Sequence, residues 1–142
     1  MRVAVVDDHA GDRAWLTEEL KALLQRRRLE GTVTAFDRGG AFLEAARRER
    51  FTLAFLDIYM EPMDGVETAR ALRAFDPDCL LVFSTSSADH ALEGYRVQAV
   101  QYLVKPYGLE ELERLFNLLE RVLPAPEKYV ELRSRRQAVR VR

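Results

Sequence analysis

Five short apolar segments alternate with five helical patterns in the first part of the chain, and this alternation limits the folds that the chain can adopt. The segments are four to seven residues long and rich in β-branched, aliphatic and aromatic side chains, which favours buried strands. The predicted strands are residues 2–6, 32–36, 51–57, 80–83 and 101–104.

The segments between and after these strands carry apolar residues at helical spacing. The predicted helices are residues 11–27, a segment after Gly39, a segment from Gly65 to Pro77, residues 89–97, and a segment from Leu109. Alternating strands and helices predict an α/β fold, with a five-stranded parallel sheet covered by helices on both faces. Five strands fit the doubly wound, flavodoxin-like (βα)5 arrangement, in which the strand order is 2-1-3-4-5.

Composition is that of a globular protein, because 48% of the 142 residues are hydrophobic and 32% are charged. No apolar run approaches the length of a membrane span, so no membrane contact is expected. A strand that begins at Arg2 leaves no room for a signal peptide. The single cysteine, Cys79, suits a reducing compartment. Together these features predict a cytoplasmic protein.

Charge is distributed unevenly along the chain, although the net charge is only −1. Residues 128–142 contain six basic side chains and one acid, which leaves 16 basic and 22 acidic residues in 1–127. We therefore predict a domain at residues 1–123, a linker at residues 124–127 that contains two prolines, and a separate basic tail.

The tail, residues 128–142, alternates apolar and polar residues on both sides of Ser134-Arg135-Arg136, which is the pattern of a β-hairpin. An isolated hairpin is marginally stable in water. The tail is therefore either a short C-terminal hairpin extension, which pairs with another strand edge, or a disordered basic segment.

Polar residues follow four of the predicted strands. They are Asp7 and Asp8 after the first strand, Asp57 after the third, Thr85 after the fourth and Lys105 after the fifth. The predicted order places these four strands side by side, so the five side chains are expected to meet in one crevice at the carboxyl edge of the sheet.

Three carboxylates in one crevice repel one another, and a divalent cation would neutralise them. Mg²⁺ takes oxygen ligands and is commonly bound by one or two carboxylates together with a phosphate. Lys105 and Thr85 are suited to bind further oxygens of that phosphate. The chain has no glycine-rich phosphate loop, so a nucleotide is not the expected ligand.

Four stretches at this edge resemble the receiver domain of two-component response regulators. They are VVDD at 5–8, FLDIYMEPMDG at 55–65, FSTS at 83–86 and YLVKPY at 102–107. The resemblance covers residues 1–123. The stretch HALEGYRVQAVQYLVKPY is further similar to receivers attached to LytTR-type (LytR/AgrA-like) DNA-binding domains, and the tail is similar to the first strands of such a domain, here truncated.

The resemblance implies a role for each matching residue. Asp57 matches the phosphoacceptor, which is also a metal ligand. Asp8 matches the direct ligand of Mg²⁺ (or Mn²⁺), and Asp7 matches the acid that holds the ion largely through water. The backbone carbonyl of Tyr59 matches the remaining protein ligand. Thr85 matches the catalytic hydroxyl and Lys105 the catalytic lysine. Tyr102 matches the aromatic switch residue, and Pro106 matches a cis-proline.

One position departs from the family pattern, because Glu61 stands where a proline is usual and Pro62 follows it. The turn still closes on Gly65, so we expect a changed loop surface and a preserved site.

The resemblance implies a receiver that accepts a phosphoryl group from a sensor histidine kinase and switches conformation to control transcription. It implies no enzyme activity except its own phosphorylation and dephosphorylation, and DNA contact only through a complete output domain. A homodimer would form through the fourth helix, fifth strand and fifth helix, or through the hairpin. Two other functions are a binding module that works without phosphorylation and a small phosphatase, although the general base and cap of a phosphatase are not evident.

Overall fold

Five parallel strands form one sheet in this computed structural model, which describes residues 1–89 and 91–123. The strand order is β2-β1-β3-β4-β5, as the sequence predicts. The elements along the chain are β1 (Arg2–Val6), α1 (Ala10–Arg26), β2 (Thr32–Phe36), α2 (Gly39–Arg48), β3 (Leu53–Leu56), α3 (Gly65–Arg73), β4 (Leu80–Thr85), α4 (Ala91–Arg96), β5 (Gln101–Val104) and α5 (Leu109–Val122).

The sheet separates two apolar layers. On one face, Ala4 and Val6 of β1 pack with side chains of α2 and α3, among them Phe42 and Leu72. On the other face, side chains of α1 and α5 cover the sheet, and these are Leu16, Leu20, Leu23 and Leu24 of α1 and Leu112, Leu115, Phe116 and Leu119 of α5. Strand β3 is buried along its whole length, which explains why its sequence is continuously apolar.

The boundaries of three elements differ from the sequence predictions. Strand β3, predicted at residues 51–57, spans only Leu53–Leu56. Strand β4 continues beyond Phe83 to Thr85, because Thr85 pairs with Val104 and its carbonyl accepts a 2.7 Å hydrogen bond from the Lys105 backbone N–H. Helix α4 is shorter than the predicted 89–97. It ends at Arg96, and Gln98 after it has a φ of 60°.

No helix within the described residues has the length and apolar character needed to cross a membrane. The predicted linker and basic tail, residues 124–142, lie outside the described residues.

Candidate phosphoryl-acceptor site

The polar residues predicted to meet at the carboxyl edge of the sheet are brought together there. Asp7 and Asp8 follow β1, Asp57 follows β3, Thr85 is the last residue of β4, and Lys105 follows β5. The four strands are consecutive neighbours in the sheet, so their ends form one crevice.

Three of these residues form an acidic cluster, Asp7, Asp8 and Asp57, in which a carboxylate oxygen from each lies within 4.8 Å of the others. Asp57 is only 6% exposed and Asp7 is also buried, whereas Asp8 is open to solvent. Burial raises the pKa of the Asp57 carboxyl group to about 6, and the negative charge of Asp7 adds to the rise, while Lys105 opposes it. The cluster therefore holds negative charge at a cost to the folded state.

The donor set fits a hard divalent cation. Three carboxylates from two strand ends offer oxygen atoms at close range, and the exposed Asp8 leaves a solvent side where waters can complete the coordination. Tyr59 directs its backbone N–H to Asp57 Oδ1 at 3.4 Å, so the chain turns around the Asp57 carboxylate at this point.

Lys105 joins the crevice from β5. Its Nζ donates to Asp7 Oδ2 at 2.8 Å and lies 3.5 Å from Asp57 Oδ2. Nζ also donates to Asp12 Oδ2 at 2.8 Å, a contact that the sequence reasoning missed. Burial alone would lower the pKa of Lys105, but hydrogen bonds to Asp12 and Asp7 and the charge of Asp57 raise it above its ordinary value. Lys105 is therefore a fixed cation with three carboxylates around it.

The Thr85 side chain is fully buried, and its Oγ1 has no hydrogen-bond partner among the described residues. A buried hydroxyl without a partner costs free energy, so its presence at the end of β4 calls for an explanation. Its neighbour in sequence, Ser84, is paired with the Tyr107 hydroxyl at 2.6 Å.

Tyr102 on β5 connects this edge to the loop before α4. Its ring packs against Phe83, with 5.9 Å between ring centroids, and its hydroxyl donates to the Ser87 carbonyl at 2.8 Å. The Lys105–Pro106 peptide bond is cis. Thr85 and Lys105 thus lie at the neighbouring carboxyl ends of β4 and β5, and Tyr102 lies earlier in β5, opposite Phe83.

The loop after β3 has the expected close turn despite Glu61. The Gly65 N–H donates to the Ile58 carbonyl at 2.8 Å, and a Cβ at Gly65 would overlap the carbonyl oxygen of Asp57. Only glycine fits this approach, which holds the loop after β3 against the first turn of α3. The Glu61–Pro62 peptide bond is cis, and the acidic cluster is intact beside it.

A cleft of about 440 Å³ extends from the crevice along α1. It is lined by Asp7, Asp12, Trp15, Ser84, Lys105 and Tyr107, among others. Trp15 and Tyr107 meet edge to face at its rim, with 5.8 Å between ring centroids. Trp15 of α1 therefore packs against Tyr107 and forms part of the wall of this cleft.

Comparison with known proteins gives a consistent picture. Residues 3–117 match the sequence model of the response regulator receiver domain. Protein MrkE of Klebsiella pneumoniae is 29% identical over 90% of this chain and 45% of its own length. The sensory transduction protein LytT of Oceanobacillus iheyensis is 28% identical over 80% of this chain and 47% of its own length. The chain thus spans about half the length of these relatives.

Solved structures extend the likeness to three dimensions. The response regulator protein TrrA of Thermotoga maritima, crystallised in complex with Mg²⁺ and BeF, superimposes with a TM-score of 0.70 at 26% identity. The superposition covers 83% of this chain and 97% of the TrrA chain.

Proposed function

The chain belongs to the response regulator receiver domain family, and we propose that it accepts a phosphoryl group on Asp57 from a sensor histidine kinase in a Mg²⁺-dependent reaction. One observation carries the proposal. A buried carboxylate, Asp57, lies beside two further acids and a lysine ammonium 3.5 Å away. The neighbouring strand β4 ends at Thr85, whose buried hydroxyl has no partner among the described residues. A phosphoryl group on Asp57 would supply acceptors for both the ammonium and the hydroxyl.

The transfer step needs a nucleophile and charge neutralisation. An Asp57 carboxylate oxygen forms a bond to phosphorus while the phosphorus–nitrogen bond of the donor phosphohistidine breaks, and the released imidazole nitrogen takes a proton from solvent. Asp57 needs no general base, because its carboxyl group, with a pKa of about 6, is mostly ionised at neutral pH and the ionised carboxylate is itself the nucleophile. Asp7, Asp8, Asp57 and the Tyr59 carbonyl would hold Mg²⁺, which supplies positive charge beside the phosphoryl oxygens when bound. Lys105 supplies the second positive charge.

The switch that follows uses Thr85 and Tyr102. Within the described part of the chain Thr85 Oγ1 has no partner to lose, so a phosphoryl oxygen within its reach would gain a hydrogen bond at no cost to another contact there. Movement of the β4 end toward Asp57 would act on the loop before α4, to which the Tyr102 hydroxyl is bonded through Ser87. Phosphorylation would therefore bias the arrangement of α4 and β5.

The output is proposed to be transcription control through a LytTR-type domain, of which residues 128–142 would be the start. In support, the relatives that this chain matches over about half their length include a LytT protein. DNA contact is expected from the complete output domain and not from this tail, because base reading needs side chains held in a groove by a folded domain.

A homodimer is proposed through the face formed by α4, β5 and α5. These elements carry exposed apolar side chains: Leu92 and Tyr95 of α4 are 58% and 81% exposed, and Val104 of β5 and Leu118 of α5 are also exposed. Exposed apolar residues on neighbouring elements are typical of interaction surfaces.

The test is intact-mass measurement after incubation with acetyl phosphate and Mg²⁺. We expect one added phosphoryl group on the wild type and none on Asp57→Asn. Undiminished labelling of Asp57→Asn would contradict the assignment. A wild type without label would favour the phosphorylation-independent binding module, and continuous release of phosphate from the donor, without a retained label, would favour a phosphatase.

A further inference from the structure

Asp12 is a partner of Lys105 that lies outside the acidic cluster. It is in the first turn of α1, and its Oδ2 accepts a hydrogen bond from Lys105 Nζ at 2.8 Å, as short as the bond from Nζ to Asp7. We propose that Asp12 is a positioning residue that holds the Lys105 ammonium against α1 and competes for it with the phosphoryl group on Asp57. This inference rests on the proposed function and concerns how readily the same site is phosphorylated.

The backbone around Asp12 is fixed by local contacts. His9 caps α1, because its Nδ1 accepts a hydrogen bond from the Asp12 N–H at 3.2 Å. Arg13 Nη1 donates to the Asp7 carbonyl at 2.9 Å and so ties the same helical turn to the end of β1. These bonds place the Asp12 carboxylate over the crevice, and its contact with Lys105 follows from the fold of this segment.

The competition follows from the donors that Lys105 has available. An ammonium has three protons, and two are directed at Asp7 and Asp12, which leaves one for the Asp57 side. A phosphoryl group on Asp57 brings several charged oxygens that need this cation. Each carboxylate that shares the ammonium reduces its attraction for those oxygens.

Asp12 is the partner that Lys105 can leave most easily. Its side chain is 44% exposed, whereas that of Asp7 is 5% exposed, so water can solvate the Asp12 carboxylate when the ammonium moves away. An exposed ion pair contributes modestly, and its loss changes an equilibrium by a small factor. Asp12 therefore acts as a moderate restraint on Lys105 and does not block the site.

The experiment measures the rate of Asp57 labelling by acetyl phosphate at saturating Mg²⁺ on the full chain. We expect Asp12→Asn to accelerate labelling about two- to tenfold, because it removes a partly exposed carboxylate that competes with the phosphoryl group for the Lys105 ammonium. Asp12→Glu, which keeps a carboxylate on the same turn, should stay within about twofold of the wild type. Glu61→Gln removes one negative charge from the loop after β3 and measures the effect of net charge without loss of a Lys105 partner.

A double-mutant cycle separates action through Lys105 from a general effect of charge or folding. In a Lys105→Met background, labelling is slower, and Asp12→Asn should no longer change its rate. If the role of Asp12 were purely structural, Asp12→Asn would instead have a lower melting temperature, and the cycle would show no coupling energy between Asp12 and Lys105.

The outcomes are distinct. A labelled wild type together with an Asp12→Asn variant that is labelled no faster overturns this inference alone. Equal acceleration by Asp12→Asn with and without Lys105, or by Glu61→Gln, overturns it as well. A wild type that takes no label overturns the proposed function, and this inference falls with it.

Discussion

Replacement of Asp57 by asparagine should stabilise the metal-free protein at neutral pH. The pKa of the Asp57 carboxyl group is raised from 3.8 to about 6, mainly because the group is buried and because Asp7 is close. The folded state thus binds a proton more tightly than the unfolded state does. Stability is therefore lost as pH rises from about 4 to 6, and the full cost of the buried charge is present above pH 6.

The size of the effect follows from the pKa difference. One pKa unit corresponds to about 1.4 kcal/mol, so a rise from 3.8 to about 6 costs the folded state about 3 kcal/mol at pH 7.5. At pH 5, where folded Asp57 is largely protonated, the cost is about half as large by the same linkage relation. The asparagine side chain has nearly the same shape as the aspartate and carries no charge. Lys105 keeps its two 2.8 Å partners, Asp7 and Asp12, so the substitution leaves it paired.

The assay is urea unfolding in EDTA at pH 5.0 and 7.5, with the free energy of unfolding extrapolated to water. Asp57→Asn should gain about 3 kcal/mol at pH 7.5 and about half as much at pH 5.0. Glu18→Gln, on the exposed side of α1, is the control and should be neutral at both values. An Asp57→Asn variant no more stable than the wild type at pH 7.5, or equally stabilised at both pH values, would refute the reasoning.

Two further predictions concern the same crevice. Mg²⁺ at ten times its dissociation constant should stabilise the wild type by about 1.4 kcal/mol, which raises the melting temperature in differential scanning calorimetry by roughly 3–8 °C. Asp8→Asn should reduce this rise. No rise at tens of millimolar Mg²⁺ would count against the metal site. In urea unfolding, Thr85→Val should leave the free energy of unfolding unchanged or raise it by up to about 1 kcal/mol, because the Thr85 hydroxyl has no partner among the described residues. Ser84→Ala removes the hydrogen bond to Tyr107 and should lower the free energy of unfolding by about 1 kcal/mol. Equal destabilisation by both substitutions would contradict the description of Thr85.

The topology could be predicted from the sequence because alternating strands and helices leave few arrangements of a parallel sheet. The meeting of Asp7, Asp57 and Lys105 follows from that topology, since residues that end neighbouring parallel strands lie at one edge. These residues could be placed without side-chain detail.

Asp12 could not be placed in this way. Its contact with Lys105 depends on the rotation of the first turn of α1 and on the path of a long lysine side chain, and neither is encoded in hydrophobic periodicity. An acid in the first turn of a helix is ordinarily explained by the helix dipole alone. The end of β4, predicted at Phe83 and observed at Thr85, could not be placed for a related reason. Thr85 is polar, and its burial depends on pairing with β5.

The charges of the crevice explain why Mg²⁺, Lys105 and the phosphoryl group should act together. One ammonium serves the carboxylates of Asp7, Asp12 and Asp57, so the metal-free site already has excess negative charge. A phosphoryl group alone would enlarge that excess, even though it offers Thr85 an acceptor for its buried hydroxyl. A divalent cation held by the acidic cluster would offset the added charge and weaken the hold of Asp7 on Lys105. The ammonium would then be shared between Asp12 and the phosphoryl oxygens, and this division sets how readily Asp57 is labelled.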